Sequence, residues 1–156
     1  MFTIETAIEL AAQKHAGQKR LNGEPYIYHL LRVMSKMKTE EERIIAVLHD
    51  IIEDTDVTVD DLLKMGCPKL VVNSISILTN DKHISYAEYI EFIAGLHVEG
   101  GCLLSAASFR SAIRVKIEDL SDNLNIADLG HALTDKDSKR ITKYIEAINF
   151  LRSRSI

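Results

Sequence analysis

The sequence has few proline and glycine residues, which interrupt helices, and few cysteines, which could cross-link the chain. Among 156 residues there are two prolines, Pro25 and Pro68, and seven glycines, and this scarcity favours long helices over a sandwich with many turns. The two cysteines, Cys67 and Cys102, are too few and too far apart in sequence to indicate a zinc motif or a disulfide framework. We interpret them as small residues of a protein in a reducing compartment, and we expect a cytoplasmic location.

Long hydrophobic runs are also missing. No stretch approaches the roughly 20 apolar residues that a membrane span needs, and residues 1–5 show no basic region followed by an apolar run. We therefore expect neither contact with a membrane nor a secretory signal peptide. A net charge of -4 argues against nucleic acid as the main partner. A local group of basic residues still allows a small polyanionic ligand: Lys14, Lys19, Arg20, Arg32 and Lys36.

Apolar residues recur at helical spacing along most of the chain, without the alternation of strands. With 46% hydrophobic and 27% charged residues, the chain has an ordinary globular balance and is long enough to bury a core. These features predict one all-α domain, a multi-helix bundle over residues 1–156. Whether such bundles associate as a homo-oligomer is left open by the sequence.

Several helix boundaries can be read from local signals. Thr3, Thr58 and Ser85 are predicted N-caps, because a side-chain oxygen there can accept a hydrogen bond from a free N–H of the first turn. The third helix is predicted to run without interruption from about residue 40 to residue 54. The last helix is predicted to open at Asp135 or Asp137. Its predicted apolar side carries Ile141, Tyr144, Ile145, Ile148 and Leu151.

The third helix carries the most informative pattern. At about 100° per residue, one arc is apolar and the other polar. The apolar arc contains Ile44, Ile45, Val47, Leu48, Ile51 and Ile52, and the polar arc contains His49, Asp50, Glu53 and Asp54. A solvated acidic face is the alternative interpretation, and a single His-Asp pair is weak as a motif. Three carboxylates on one face repel one another, however, and a divalent cation commonly stabilises such a group.

Two more residues are candidates for the same metal site. His29 lies in the apolar segment 25–31, where a structural core histidine is the alternative, and Asp119 lies next to core positions in segment 115–120. A buried aspartate is costly unless it is paired or bound to a metal. Two imidazoles and two carboxylates from separate helices would suit Mn²⁺ or Fe²⁺ and leave positions open for water and substrate.

Four segments in this order resemble the hydrolase domain of the RelA/SpoT homologue family: residues 17–20, 23–29, 48–55 and 115–119. The resemblance runs from about Ala7 to Asn123 and extends toward Tyr144, and the chain is similar in size to the small alarmone hydrolases. It implies an HD-type phosphohydrolase that removes the 3′-pyrophosphate from (p)ppGpp to give GDP or GTP and pyrophosphate. Mn²⁺, Fe²⁺ or another divalent ion would be its cofactor. No segment resembles the family's synthetase domain.

The resemblance also implies a role for single residues. His29, His49, Asp50 and Asp119 would be the metal ligands. Glu53 and Asp54 match the family's catalytic acidic pair, which orients and deprotonates the attacking water. Arg20, Lys19, Asn123, Arg140 and Tyr144 would contact the nucleotide. Each role has a structural alternative. Glu53 and Asp54 could be a simple acidic helix end, Arg20 a surface residue, and Tyr144 a residue packed in the core.

One segment departs from the family pattern. After Asp119 the family usually has a basic residue and later a His or Tyr, whereas this chain has Leu120, Ser121 and Asp122. An acid facing the site would repel a pyrophosphate, which leaves the identity of the substrate open more than the metal binding. Two other functions also stay open. One is an HD-type nucleotidase or phosphodiesterase for another nucleotide, and the other is a non-catalytic module that senses a nucleotide. The remaining histidines are interpreted as structural or surface residues: His15, His83, His97 and His131.

Overall fold

The computed structural model of the protein describes residues 1–96, 104–125 and 129–155. Its helices are α1 Ile4–Lys14, α2 Ile27–Ser35, α3 Glu40–Leu48, α4 Ile51–Asp54, α5 Val59–Lys64, α6 Lys69–Leu78, α7 Tyr86–Ile93, α8 Ala106–Asn123 and α9 Asp135–Arg154. In these ranges the β contacts are limited to one isolated bridge between Lys19 and Pro25. The all-α prediction is confirmed. None of the helices described is long and apolar enough to cross a membrane.

Side-chain caps begin the helices where the sequence predicts them. The Thr3 hydroxyl accepts a hydrogen bond from Thr6 N at 3.3 Å at the start of α1. Thr58 and Ser85 cap α5 and α7 in the same way, each with an acidic residue three positions on that completes a capping box. At the start of α9, Thr134 is the cap and Asp137 completes the box. These boundaries follow from interactions within four residues.

The predicted continuous third helix is wrong. α3 ends at Leu48 and α4 begins at Ile51, and between them Asp50 leaves the helical region with φ -99° and ψ 2°. His49 Nδ1 donates to Ala46 O at 2.7 Å, the carbonyl that an uninterrupted helix would pair with the N–H of residue 50. The His49 side chain is only 2% exposed. It therefore points into the protein, and not onto a polar face shared with Glu53 and Asp54, which are exposed.

The apolar side of α9 also differs from the prediction at one position. Ile148 and Leu151 are buried, but Ile145 is 45% exposed, and the buried neighbour on that turn is Ala147. α9 packs against α8, and its residues in the core include Ile148 and Leu151, with Tyr144 partly buried against them. Ile145 lies about 100° from Tyr144 on the helix surface.

Helix α3 is the centre of the bundle. All five residues from Ile44 to Leu48 are at most 4% exposed, and α3 is in contact with α1, α2, α6 and α8. Burial of each Ile, Val or Leu side chain among them contributes about 1.5–3 kcal/mol to folding. His49 follows the C-terminus of this central helix, His29 lies on α2 and Asp119 on α8. Because α2, α3 and α8 pack against one another, the core itself brings these three residues together.

Candidate active site

The four predicted metal ligands lie together where α2, α8 and the α3–α4 junction meet. One ligand atom from each of His29, His49 and Asp50 lies within 4.8 Å of the other two. Asp119 is beside them, with Oδ1 3.2 Å from His29 Nε2 and 3.6 Å from His49 Nε2. Both imidazoles are almost fully buried. The arrangement is therefore a compact group of imidazole and carboxylate donors at the base of a cleft.

The hydrogen bonds of the imidazoles aim their Nε2 atoms at the carboxylates. His49 Nδ1 lies 2.7 Å from a carbonyl oxygen that can only accept, so Nδ1 carries a proton and Nε2 is the atom that faces the carboxylates. This Nε2 is buried and has no hydrogen-bond partner among the described residues, although Asp50 Oδ2 is 3.0 Å away. A ring nitrogen and a carboxylate oxygen this close require positive charge between them, supplied by a proton on Nε2 or by a metal ion that takes its place. The donor set therefore fits a divalent cation.

The electrostatics of this group also favour positive charge. Although burial opposes it, the adjacent carboxylates, Asp50 above all, raise the pKa of His49 well above its ordinary value. In turn, His49 lowers the pKa of Asp50 to about 2 against the effect of burial. Lys116 Nζ donates to Asp119 Oδ2 at 2.9 Å and lowers the pKa of that carboxyl well below its usual range, again despite burial. Both aspartates are thus held as carboxylates.

Neighbouring polar groups fix the orientation of these two carboxylates. The Tyr26 hydroxyl donates to Asp50 Oδ2. Asn123 Nδ2 donates to Asp119 Oδ1 at 2.9 Å, and Lys116 holds the other oxygen of the same carboxylate. Outer partners of this kind set the direction in which a ligand atom points and so support metal binding.

The acidic pair lies at the edge of the same cleft. Glu53 and Asp54 line a cavity of about 210 Å³ together with Asp50 and Asp119. Glu53 Oε2 accepts from the backbone N–H of Asn80 at 3.1 Å, and Gln18 Nε2 donates to Asp54 Oδ2 at 3.2 Å. Partial burial raises the pKa of Glu53 above its ordinary value, and the charge of Asp50 adds to this effect. A carboxylate of raised pKa beside a candidate metal site is suited to accept a proton from water.

A second cleft of about 290 Å³ adjoins the first. All five residues predicted to contact the substrate line it: Lys19, Arg20, Asn123, Arg140 and Tyr144. Tyr26 and Asn123 line both clefts, so the basic cleft opens beside the acidic one. The structure thus brings the predicted substrate residues together, next to the predicted catalytic pair.

Sequence reasoning gave no role to several residues that line the acidic cleft. Lys116 stands one helical turn before Asp119, a spacing at which opposite charges meet on a helix, and this signal was available. Asn80 and Tyr86 come from the α6–α7 connection and the start of α7, and no local pattern marks them. The buried Asn80 Oδ1 and Tyr86 hydroxyl have no hydrogen-bond partner among the described residues. Both residues line the cleft.

Asp122, the acid that departs from the family pattern, is not a free negative charge. It pairs with Arg20, Arg32 and His29, and these hydrogen bonds lower its pKa despite burial. Its charge is therefore compensated, and it does not confront an incoming phosphate alone.

The other histidines and cysteines lie apart from the candidate ligands or outside the described residues. His15 is buried, makes a 2.7 Å contact with Gln18 Oε1 and packs against Tyr26 with ring centroids 5.3 Å apart. His83 and His131 are exposed. Cys67 is buried, and burial raises the pKa of its thiol to about 11. His97 and Cys102 lie outside the described residues.

Comparison with known proteins finds several relatives whose names describe the same enzyme activity. A guanosine-3′,5′-bis(diphosphate) 3′-pyrophosphohydrolase of Aquifex aeolicus is 35% identical over 126 residues, which cover 78% of this chain and 17% of that protein. The bifunctional (p)ppGpp synthase/hydrolase SpoT of Escherichia coli is 30% identical over 145 residues, 90% of this chain and 19% of SpoT. The pyrophosphohydrolase MESH1 of Drosophila melanogaster is 30% identical over 131 residues, 78% of this chain and 66% of MESH1.

The fold of the chain is also similar to that of a solved structure. A solved structure described as a metazoan ortholog of SpoT that hydrolyses ppGpp matches with a TM-score of 0.69 and 21% identity, covering 97% of this chain and 90% of that one. No family model matches the chain, and the chain spans 17% or less of the length of the bacterial relatives first matched. From the fold, the ordered segments and these similarities we conclude that the chain belongs to the RelA/SpoT homologue family of HD-type alarmone hydrolases.

Proposed function

We propose that the chain is a metal-dependent phosphohydrolase that removes the 3′-pyrophosphate of (p)ppGpp, giving GDP or GTP and pyrophosphate, and that it acts as one hydrolase domain. The observation that carries this proposal is the junction of the two clefts. A cavity lined by Glu53, Asp54 and two candidate metal ligands adjoins a cavity lined by Lys19, Arg20 and Arg140. The names of the relatives support the same substrate.

The metal would be held by His29, His49, Asp50 and Asp119. We favour Mn²⁺, with Fe²⁺ or another divalent ion as the alternative, because mixed imidazole and carboxylate ligands suit first-row ions of this kind. Such an ion, when bound, polarises a phosphoryl oxygen and lowers the pKa of water. All other steps can be assigned to side chains of this chain.

Glu53 is the general base in this proposal. Its Oε2 is fixed by Asn80 N–H, which leaves Oε1 to accept a proton from water. Asp54, the next residue of α4, would help to orient the same water. The water oxygen then bonds to the phosphorus attached to ribose O3′, the P–O3′ bond breaks, and the proton that Glu53 took from the water would return to O3′ as the nucleotide leaves. Lys116 lines the same cavity, and its ammonium group would offset the charge that develops on the phosphoryl oxygens.

The basic cleft would bind the rest of the nucleotide. Lys19 and Arg20 would contact phosphates, and Arg suits the planar, bidentate part of that task. Arg140 Nη2 donates a hydrogen bond to Asp137 Oδ1 at 2.9 Å, and the other N–H groups of its guanidinium would bind the substrate. Tyr144 packs partly against the core and lines the cleft as well. Its ring can therefore have the structural role and the binding role together.

A substrate panel tests the proposal. The purified full chain, loaded with Mn²⁺, is incubated with ppGpp, pppGpp, GTP, ATP and a cyclic nucleotide, and the products are separated by anion-exchange chromatography. We expect GDP from ppGpp and GTP from pppGpp, each with one equivalent of pyrophosphate. Consumption of the other nucleotides alone would indicate a nucleotidase or phosphodiesterase, and binding without turnover would indicate a sensing module. Either result would contradict the proposed function.

A further inference from the structure

Five side chains at the site form a closed ring of polar contacts. His29 Nδ1 lies 2.6 Å from Asp122 Oδ2, which accepts from Arg20 Nη1 at 2.6 Å. Arg20 Nη2 donates to Asn123 Oδ1 at 3.0 Å, and Asn123 Nδ2 donates to Asp119 Oδ1 at 2.9 Å. The ring closes where Asp119 Oδ1 lies 3.2 Å from His29 Nε2. It joins two candidate metal ligands to an arginine of the basic cleft.

Asp122 is the most heavily bonded member of this ring. Its Oδ2 contacts three donors, from His29, Arg20 and Arg32, and its Oδ1 accepts from Arg32 Nε at 2.8 Å. The side chain is 15% exposed, and two guanidinium groups offset its charge. Because paired and fully bonded charges can be buried at low cost, Asp122 can remain ionised beside the metal site.

The two imidazoles have different outer partners. Nδ1 of His49 bonds to a neutral backbone carbonyl, that of Ala46, whereas Nδ1 of His29 bonds to the carboxylate of Asp122. A carboxylate partner holds the proton on Nδ1, fixes the plane of the ring and makes Nε2 the stronger donor to a metal.

We propose that Asp122 is a positioning residue of the metal site, an inference that rests on the proposed function. It keeps the Nδ1–H form of His29 and directs Nε2 toward the position shared with Asp119 and His49. Arg20 and Arg32 hold Asp122 in place, so the basic cleft and the metal site are built on the same carboxylate. The acid that departs from the family pattern therefore serves metal binding in this chain.

Calorimetric titration of the metal-free full chain with Mn²⁺ tests this inference. Asp122→Ala is expected to raise the dissociation constant for Mn²⁺ by about 10–100-fold, the usual effect of losing a partner of a ligating histidine. Asp122→Asn is expected to lose less, because its one oxygen can occupy the position that three donors share and still accept from His29. Glu24→Gln is the matched control. Glu24 bonds to Arg32 at 3.0 Å and, in the part of the chain that the structure describes, makes no hydrogen bond or ion pair with His29, so wild-type affinity is expected.

The melting temperature of each metal-free variant separates metal binding from folding. A purely structural role would lower the melting temperature of Asp122→Ala and leave its Mn²⁺ affinity equal to that of the wild type, which would overturn the inference. Affinity in the order wild type, Asn variant, Ala variant supports it. If the wild type itself does not bind Mn²⁺, the metal site of the proposed function fails, and the role of Asp122 fails with it. If the wild type binds Mn²⁺ and turns over no nucleotide, only the proposed activity fails.

Discussion

Asp50→Ala protein should lose the metal and, with it, all measurable phosphohydrolase activity. Asp50 Oδ2 lies 3.0 Å from His49 Nε2, and no other carboxylate of the described residues comes as close to that orphaned nitrogen. Removal of a ligand is expected to cost more than the ~10–100-fold in affinity that follows loss of an outer partner. Manganese content after gel filtration, measured by inductively coupled plasma mass spectrometry, gives the result directly.

The matched control is Asp56→Ala. Asp56 is exposed and pairs with Lys14 at 2.7 Å, outside both clefts, so this variant should keep the metal content and rate of the wild type. Equal manganese in Asp50→Ala and wild type would show that Asp50 is not a ligand.

Glu53→Gln should behave in the opposite way, with full metal content and a low rate. Glutamine keeps the size of the side chain and can still accept from Asn80 N–H, but it cannot take up a proton at neutral pH. Loss of a general base lowers kcat by about 10²–10⁴-fold. Steady-state kinetics with ppGpp at saturating Mn²⁺ measures this effect, and an unchanged kcat would contradict the role of Glu53.

The pH profile gives an independent check on the same residue. Partial burial of the carboxyl in the cleft raises the pKa of Glu53 above the ordinary value of 4.5, and only the deprotonated carboxylate can act as a base. The rate should therefore be full above the raised pKa and should fall as the pH decreases through it. In Glu53→Gln this acid limb should disappear from the residual rate. An identical limb in both proteins would assign it to another group.

Local sequence signals predicted the parts of the fold that depend on local contacts. Thr3, Thr58 and Ser85 cap helices because their partners lie three residues away. The break after Leu48 was missed, because it accompanies a bond from the His49 imidazole to the backbone and the burial of that ring in the bundle. A helical wheel assumes a regular helix, so it cannot show a side-chain bond to the backbone or the burial of one side chain by distant helices. Ile145 was placed on the buried side of α9, but it is 45% exposed and the small Ala147 is buried instead, a choice that depends on how the helix is rotated against its neighbours.

In the candidate site, too, the sequence predicted some features, whereas others depend on contacts between distant segments. The residues of the four ordered segments, among them His29, Asp50 and Asp119, are found together, although their roles as ligands stay predictions. The function of Asp122 could not be read from the sequence. Its partners are 90 to 102 residues away along the chain, so only the packing of α8 against α2 and the α1–α2 connection reveals them. From the sequence, an acid at this position would repel a pyrophosphate if it faced the site, whereas the structure shows that the charge of Asp122 is compensated by its partners.

The most direct test is a crystal structure of the Mn²⁺-loaded protein with diffraction data collected near the manganese absorption edge. We predict one anomalous peak, bound by the Nε2 atoms of His29 and His49 and by carboxylate oxygens of Asp50 and Asp119, beside the cleft that contains Glu53. A peak at another position, or a site at which Asp119 turns away from the two imidazoles, would contradict the account.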